Sequence, residues 1–218
     1  IWSIGTGEKQ DEIPFAETPL TLAYNPANSN LAIGFQGRSI LWDTVNDKEI
    51  AVLGQNGEIR SLLFNQTGAL LATASLNGSI FIWDMNSLDP SNPEPVYQFQ
   101  QGTRIEITAL DFSPSLPWLA SAGSDGFVYL WDLETGQEVT RLPHGDKVSG
   151  VSFSPGSNLL ATVSRKTVQF WDLDMLTPIS RDQLQEAACA RLARNSKTSK
   201  WISFFPNEEY KLLCPDLP

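Results

Sequence analysis

The side chains best suited to chemistry in this sequence are few and scattered. There is one histidine, His144, and there are two cysteines, Cys189 and Cys214. One imidazole without a second His or Cys close by cannot assemble the usual three- or four-ligand metal centre. A Ser-His-Asp relay would need a serine on a Gly-x-Ser-x-Gly turn, and the sequence has none. Gly5-Thr6-Gly7-Glu8-Lys9 lacks the Gly-Lys-Ser/Thr ending of a phosphate-binding loop and reads as a turn. Asp43, Asp84, Asp132 and Asp172 could suggest a carboxylate cluster for acid–base work or Ca²⁺, but each lies a whole repeat from the next. The expectation is a segment without catalytic residues, bound metal or cofactor.

What positions these residues is a repeat. Trp42-Asp43, Trp83-Asp84, Trp131-Asp132 and Trp171-Asp172 recur with a degraded copy at Trp2-Ser3, at spacings of 40, 41, 48 and 40 residues. Five residues before three of the tryptophans stands a glycine, Gly37, Gly78 or Gly126, preceded by Gln36, Asn77 or Asp125. Asn-Gly and Asp-Gly are tight hairpin turns, so each repeat contains strand, turn and strand, with Trp on the later strand. The strands upstream of the turns read Asn30 to Gly34, Leu70 to Ser75, Trp118 to Gly123 and Leu159 to Ser164. Before those, a strand ends at Tyr24, Phe64, Phe112 or Phe153. After each Asp a fourth strand follows, clearest at Glu138 to Leu142. Val128 and Leu130 alternate with Tyr129 and Trp131, so these strands are apolar on both faces and must be covered on both. Asn86 to Pro95 accounts for the longer spacing and reads as a surface loop between third and fourth strands.

Composition agrees with an all-β chain: 15 Gly, 14 Pro and 7 Trp are spread among short elements. The net charge is −10, with the part before residue 180 acidic at −11 and the part after it at +1. An acidic body repels phosphate backbones and disfavours nucleic acid as a partner. No run approaches the ~20 apolar residues of a membrane span, and two cysteines cannot build a disulfide scaffold. The expected location is cytoplasmic.

On these motifs the sequence resembles the WD-repeat family over roughly residues 1 to 172, best in Ile107-Thr108-Ala109-Leu110-Asp111-Phe112-Ser113-Pro114 followed by Gly123-Ser124-Asp125-Gly126 and Trp131-Asp132. The resemblance implies a β-propeller over residues 1–180, with about four four-stranded blades of a larger, seven-bladed ring, and a short C-terminal helical extension over 181–218. It implies a structural role for Trp42, Asp43, Trp83, Asp84, Ser121, Asp125, Trp131, Asp132, His144, Trp171 and Asp172. The family often ties a blade with a His, Ser/Thr, Asp and Trp hydrogen-bonded tetrad, and no copy here is complete. Gln101 stands near the His position of the Ser121-Asp125-Trp131 copy. Arg165-Lys166 replaces Asp-Gly in the His144-Thr162-Trp171 copy, so apolar burial is expected to hold the blades. Partner contacts, carried over by position, fall on the rim where innermost strands begin and hairpins end: Glu58, Arg60, Leu76, Glu106, Thr108, Ser124, Lys147, Ser149 and Arg165. The implied function is a protein- or peptide-binding scaffold. The rival is a propeller belonging to an enzyme, such as a hydrolase, caspase-like protease, kinase or NTPase, whose catalytic part lies upstream.

Ile1-Trp2-Ser3-Ile4 reads as a third strand whose partners, with further blades, are expected upstream. After Asp172 the period breaks. Leu184, Ala187, Ala188 and Leu192 fall at helical spacing and predict a helix over about 182–194. Trp201, Phe204, Phe205 and Tyr210 are too many aromatics for a free tail and are expected to dock on the propeller, which could bring Cys189 and Cys214 together. This ending resembles the C-terminal extension of large bacterial, especially cyanobacterial, multidomain WD-repeat proteins. That likeness implies the sensor or docking part of a signalling protein.

Overall fold

The computed structural model describes residues 12–156 and 158–175. The chain divides into two compact units, Ile1–Asp172 and Leu173–Pro218. Of the second, the described part is one 3₁₀ turn, Leu173–Met175. The expected 182–194 helix, the aromatic tail, both cysteines and the strand at Trp2 lie outside the described residues.

The first unit is built of strands, each antiparallel to its sheet neighbours. Sheet I contains β1 (Thr21–Tyr24), β2 (Asn30–Gly34), β3 (Gln36–Asp43) and the start of β4 (Lys48–Phe64). Sheet II takes the end of β4 as its first strand and adds β5 (Leu70–Ser75), β6 (Ser79–Asp84) and β7 (Tyr97–Gln100). Sheet III is β8 (Ile107–Phe112), β9 (Trp118–Gly123), β10 (Phe127–Asp132) and β11 (Gln137–Pro143). Sheet IV shows β12 (Val148–Phe153), β13 (Leu159–Ser164) and β14 (Thr167–Asp172). The second strand of every sheet has the bounds that the alternation predicts. The hairpin glycines hold the left-handed φ their turns need, +86° at Gly78 and +82° at Gly126. Asn86 to Pro95 is the surface connection between β6 and β7.

Period-two alternation gives each sheet two apolar faces, and consecutive sheets cover them. Ala32, Leu41, Ala51 and Leu53 of sheet I form one buried cluster with Ile59, Leu62, Phe64, Leu71 and Trp83 of sheet II. The opposite face of sheet II, with Ala72, Ala74, Ile80, Ile82 and Phe99, packs on Ile107, Leu110, Leu119, Tyr129 and Trp131 of sheet III. Here four rings stack across the boundary: Tyr97 on Phe99 at 5.8 Å, Phe99 on Trp131 at 4.7 Å, and Trp131 on Tyr129 at 5.6 Å. Each fully buried aliphatic of this kind stabilises by roughly 1.5–3 kcal/mol, and well-placed aromatic pairs add about 0.5–1.5. The last sheet differs. Val168 and Phe170 are 58% and 72% exposed, whereas their counterparts Val128 and Leu130 are wholly buried. No helix among the described residues is long and apolar enough to cross a membrane.

Candidate binding rim and the hydrogen-bonded frame beneath it

Leu31, Leu71, Leu119 and Leu160 each pair with the sheet's tryptophan, so the residues two further on, Ile33, Thr73, Ser121 and Thr162, occupy one equivalent position. In sheet III Trp131 Nε1 donates to Ser121 Oγ (2.8 Å), Ser121 donates to Gln101 Oε1 (2.6 Å), and Gln101 Nε2 reaches Asp125 Oδ1 at 3.4 Å. Gln101 is fully buried. The circuit that the sequence reading holds incomplete is therefore closed by a glutamine, whose amide both accepts and donates as an imidazole can.

Sheet II repeats the solution with a residue that sequence reasoning overlooked. Gln55, buried within β4, accepts from Thr73 Oγ1 and donates to Ser79 Oγ (3.1 Å), while Trp83 Nε1 donates to Thr73 Oγ1 (3.1 Å). The available signal was a Gln a few residues ahead of the innermost strand in two consecutive copies.

In sheet IV His144 fills the same place, with Nε2 2.7 Å from Thr162 Oγ1, which accepts from Trp171 Nε1 at 2.8 Å. Its Nδ1 is buried and has no partner among the described residues, because the hairpin carries Arg165-Lys166 in place of a carboxylate. Burial pushes the imidazole below its ordinary pKa.

Sheet I has dispensed with the network. Ile33 stands at the hydroxyl position, and Phe15 packs edge-on against Trp42 (5.9 Å) and Phe35 (5.2 Å). His144 meets Trp171 at the same 5.9 Å. Trp42 Nε1 is consequently buried with no hydrogen-bond partner among the described residues.

The aspartates after the tryptophans are engaged locally. Asp43 accepts from the Val45 and Asn46 amides, Asp84 from Asn86 and Ser87, and Asp132 from Glu134 and Thr135. The Asn46 side chain and the Thr135 amide foremost hold Asp43 and Asp132 below the usual carboxylate pKa. Each carboxylate shapes the turn to the fourth strand, and no three His, Cys, Asp or Glu among the described residues converge on a common point.

The nine expected rim residues fall on three equivalent sets. Arg60, Thr108 and Ser149 are the residues skipped at the register shift of β4, β8 and β12, so each is the bulge of an innermost strand. Glu58 and Glu106 lie just before, and their carbonyls accept from the amides of Leu76 and Ser124 (both 3.0 Å), which sit at the hairpins; Lys147 and Arg165 complete the third set. Arg60 pairs with Glu58 at 2.7 Å, and Lys147 with Glu106 at 2.6 Å across the boundary between sheets III and IV. Thr108 is drawn inward, donating to Val148 O at 2.6 Å, and Ser149 Oγ lies 3.3 Å from Val163 O. Arg60, Ser124, Lys147, Ser149 and Arg165 are exposed. At the rim of sheet I a polar cleft of about 490 Å³ opens between Glu17, Thr18, Gln36 and Glu58.

Comparison with solved structures gives the β-propeller domain of Cps50 (Swd1) from Myceliophteria thermophila, 19% identical with a TM-score of 0.62 over 72% of this chain. The chain spans 54% of that domain's length. This similarity shows the all-β propeller fold. The family model described as WD domain, G-beta repeat matches residues 47–84, 93–132 and 136–172, together more than half of the sequence. With three matched repeats and Trp-centred frames beneath a bulged rim, the chain belongs to the WD domain, G-beta repeat family.

Proposed function

We propose that this chain is a non-catalytic scaffold that binds a protein or peptide partner on the rim formed by Glu58, Arg60, Leu76, Glu106, Thr108, Ser124, Lys147, Ser149 and Arg165. WD domains generally mediate protein–protein interaction. The observation that carries the reading here is the bulge recurring at Arg60, Thr108 and Ser149. A bulge re-aims one side chain, to the exposed rim at Arg60 and Ser149 and toward the next blade at Thr108, and three consecutive blades use it at the same place while varying the residue. A rigid frame with a varied edge suits recognition.

Reversing Arg60, Lys147 and Arg165 to glutamate together should abolish co-purification of partner proteins. Thermal unfolding should stay nearly unchanged, because the two ion pairs lost are exposed and worth about 0–1 kcal/mol each. Unaltered capture by the triple variant would remove this surface from consideration.

The exposed apolar face at Val168 and Phe170 supports packing against further blades of the same chain, in the ring of about seven that the family resemblance implies. The residues Ala188 to Pro218 support a place at the C-terminal docking end of a cytoplasmic bacterial signalling protein.

A further inference from the structure

At the end of the innermost strands opposite the rim, the turns after β4, β8 and β12 form a second surface. Phe64, Phe112 and Phe153, with Pro114 and Pro155, line a shallow groove of about 300 Å³. Gln66 and Ser113 are its neutral polar members, and one carboxylate, Asp111, enters the lining. Asp111 is the penultimate residue of β8; the same position holds Ala23 in β1, Leu63 in β4 and Ser152 in β12. It reaches across to the next blade, where Oδ2 accepts from the Phe153 amide at 2.7 Å. None of the ion pairs among the described residues includes it. Burial holds its pKa above the ordinary carboxylate value, with hydrogen bonds from Phe153, Phe112 and Ser152 opposing. Its hydrogen bonds leave the half-buried charge with no cation beside it among the described residues, so a cation brought into the groove would meet it at short range.

We propose that this groove receives a lysine or arginine side chain of a protein partner, with the cationic head against Asp111 and the aliphatic stem along the phenylalanine and proline walls. The chemistry is complementary at three levels. Long basic side chains bury their methylenes on apolar surface while the charge meets a partner at the tip. Aromatic faces attract a cation as well as cover it. The protein's net charge of −10 draws basic segments toward it. The groove lies at the far end of the strands from the rim and does not depend on the rim's reading.

The test is a ¹⁵N-resolved NMR titration of the full 218-residue chain with N-acetyl-lysine methylamide and N-acetyl-arginine methylamide, and with N-acetyl-norleucine methylamide as the uncharged match. The basic probes should give saturable shifts at the Phe112, Phe153 and Ser154 amides, and the norleucine probe should not. Asp111→Asn keeps an oxygen for the Phe153 amide but removes the charge, and should weaken the basic probes by at least about tenfold. Equal response to all three probes, no saturable shift at these amides, or binding indifferent to Asp111→Asn would each overturn the proposal. If Asp111→Asn does not fold, the contrast between charged and uncharged probes on the unmodified chain still decides it.

Discussion

Gln101→Leu isolates the role of glutamine in the frame. The side chain is wholly buried and of nearly the same volume as leucine, so the replacement leaves no large cavity. It removes the 2.6 Å acceptor of the Ser121 hydroxyl and the 3.4 Å contact to Asp125. The second is long and worth little. The first leaves a buried hydroxyl that still accepts from Trp131 Nε1 but has nowhere to donate. A buried donor without an acceptor costs about 1–3 kcal/mol, and added apolar contact returns part of it. The expected loss is about 1–2 kcal/mol, read as a lower urea midpoint at unchanged slope. Gln101→His should recover most of this, since an imidazole can accept from Ser121 and donate to Asp125. Adding Ser121→Ala to Gln101→Leu should cost less than the sum of the single changes, because the orphaned hydroxyl goes with it. A Gln101→Leu protein within about 0.5 kcal/mol of wild type, with strictly additive effects in the cycle, would refute the claim that glutamine replaces the expected histidine here.

Three further outcomes follow from the same geometry. Trp83→Phe should destabilise by about 1 kcal/mol more than Trp42→Phe in parallel urea titrations, because the Trp83 indole N–H is bonded to Thr73 and the Trp42 N–H is not. His144 has a folded pKa depressed below its unfolded value, so below the unfolded pKa the unfolded chain binds the extra proton. Stability should be fully present above about pH 6.5 and fall as the pH drops from there toward the folded pKa; His144→Gln should flatten that slope in melting curves recorded across the range. Gly68→Ala should lower the melting temperature, since Gly68 has φ +70°, its carbonyl accepts from Asn25 Nδ2 at 2.9 Å, and an added Cβ would fall 2.0 Å from Asn25 Oδ1. An unshifted melt would show that this contact between the first two blades can give way.

The sequence carried the repeat because tryptophan, glycine and the alternating apolar residues act locally. Gly126 permits its turn wherever it stands, and Val128 and Leu130 alternating with Tyr129 and Trp131 declare two covered faces without reference to any neighbour. Strand bounds such as Leu70–Ser75 follow from that alone. The frame was only half legible. A histidine is recognised at its position by identity, whereas Gln55 and Gln101 are ordinary polar residues until Thr73 and Ser121 are seen beside them. Phe15, ahead of β1, lies further from any pattern, because edge-on packing on Trp42 replaces a hydrogen bond with no shared residue type. The rim positions could be named by spacing, but their pairing could not. Lys147 finds Glu106 across 41 residues only once two sheets are side by side.

The way β4 is pinned to β3 also decides where this protein can be opened. Gly54-Gln55-Asn56-Gly57 has the chemistry of a turn, and Gln55 to Gly57 bulge out opposite Gly37, held on either side where Arg38 pairs with Gly54 and Gln36 with Glu58, while the Ile59 amide bonds to Phe35 O at 3.0 Å. The first two blades are therefore joined by a short bulge pinned to β3 on both sides, whereas Gln101 to Glu106 and His144 to Lys147 lie outside the strands. A protease site, a tag or new chain ends from circular permutation should be accepted better at Gly102 to Arg104 and Gly145 to Asp146 than within residues 55–57, where Gln55 holds the frame of sheet II. Amide exchange should follow the same division, with the first two blades opening together and the others one by one.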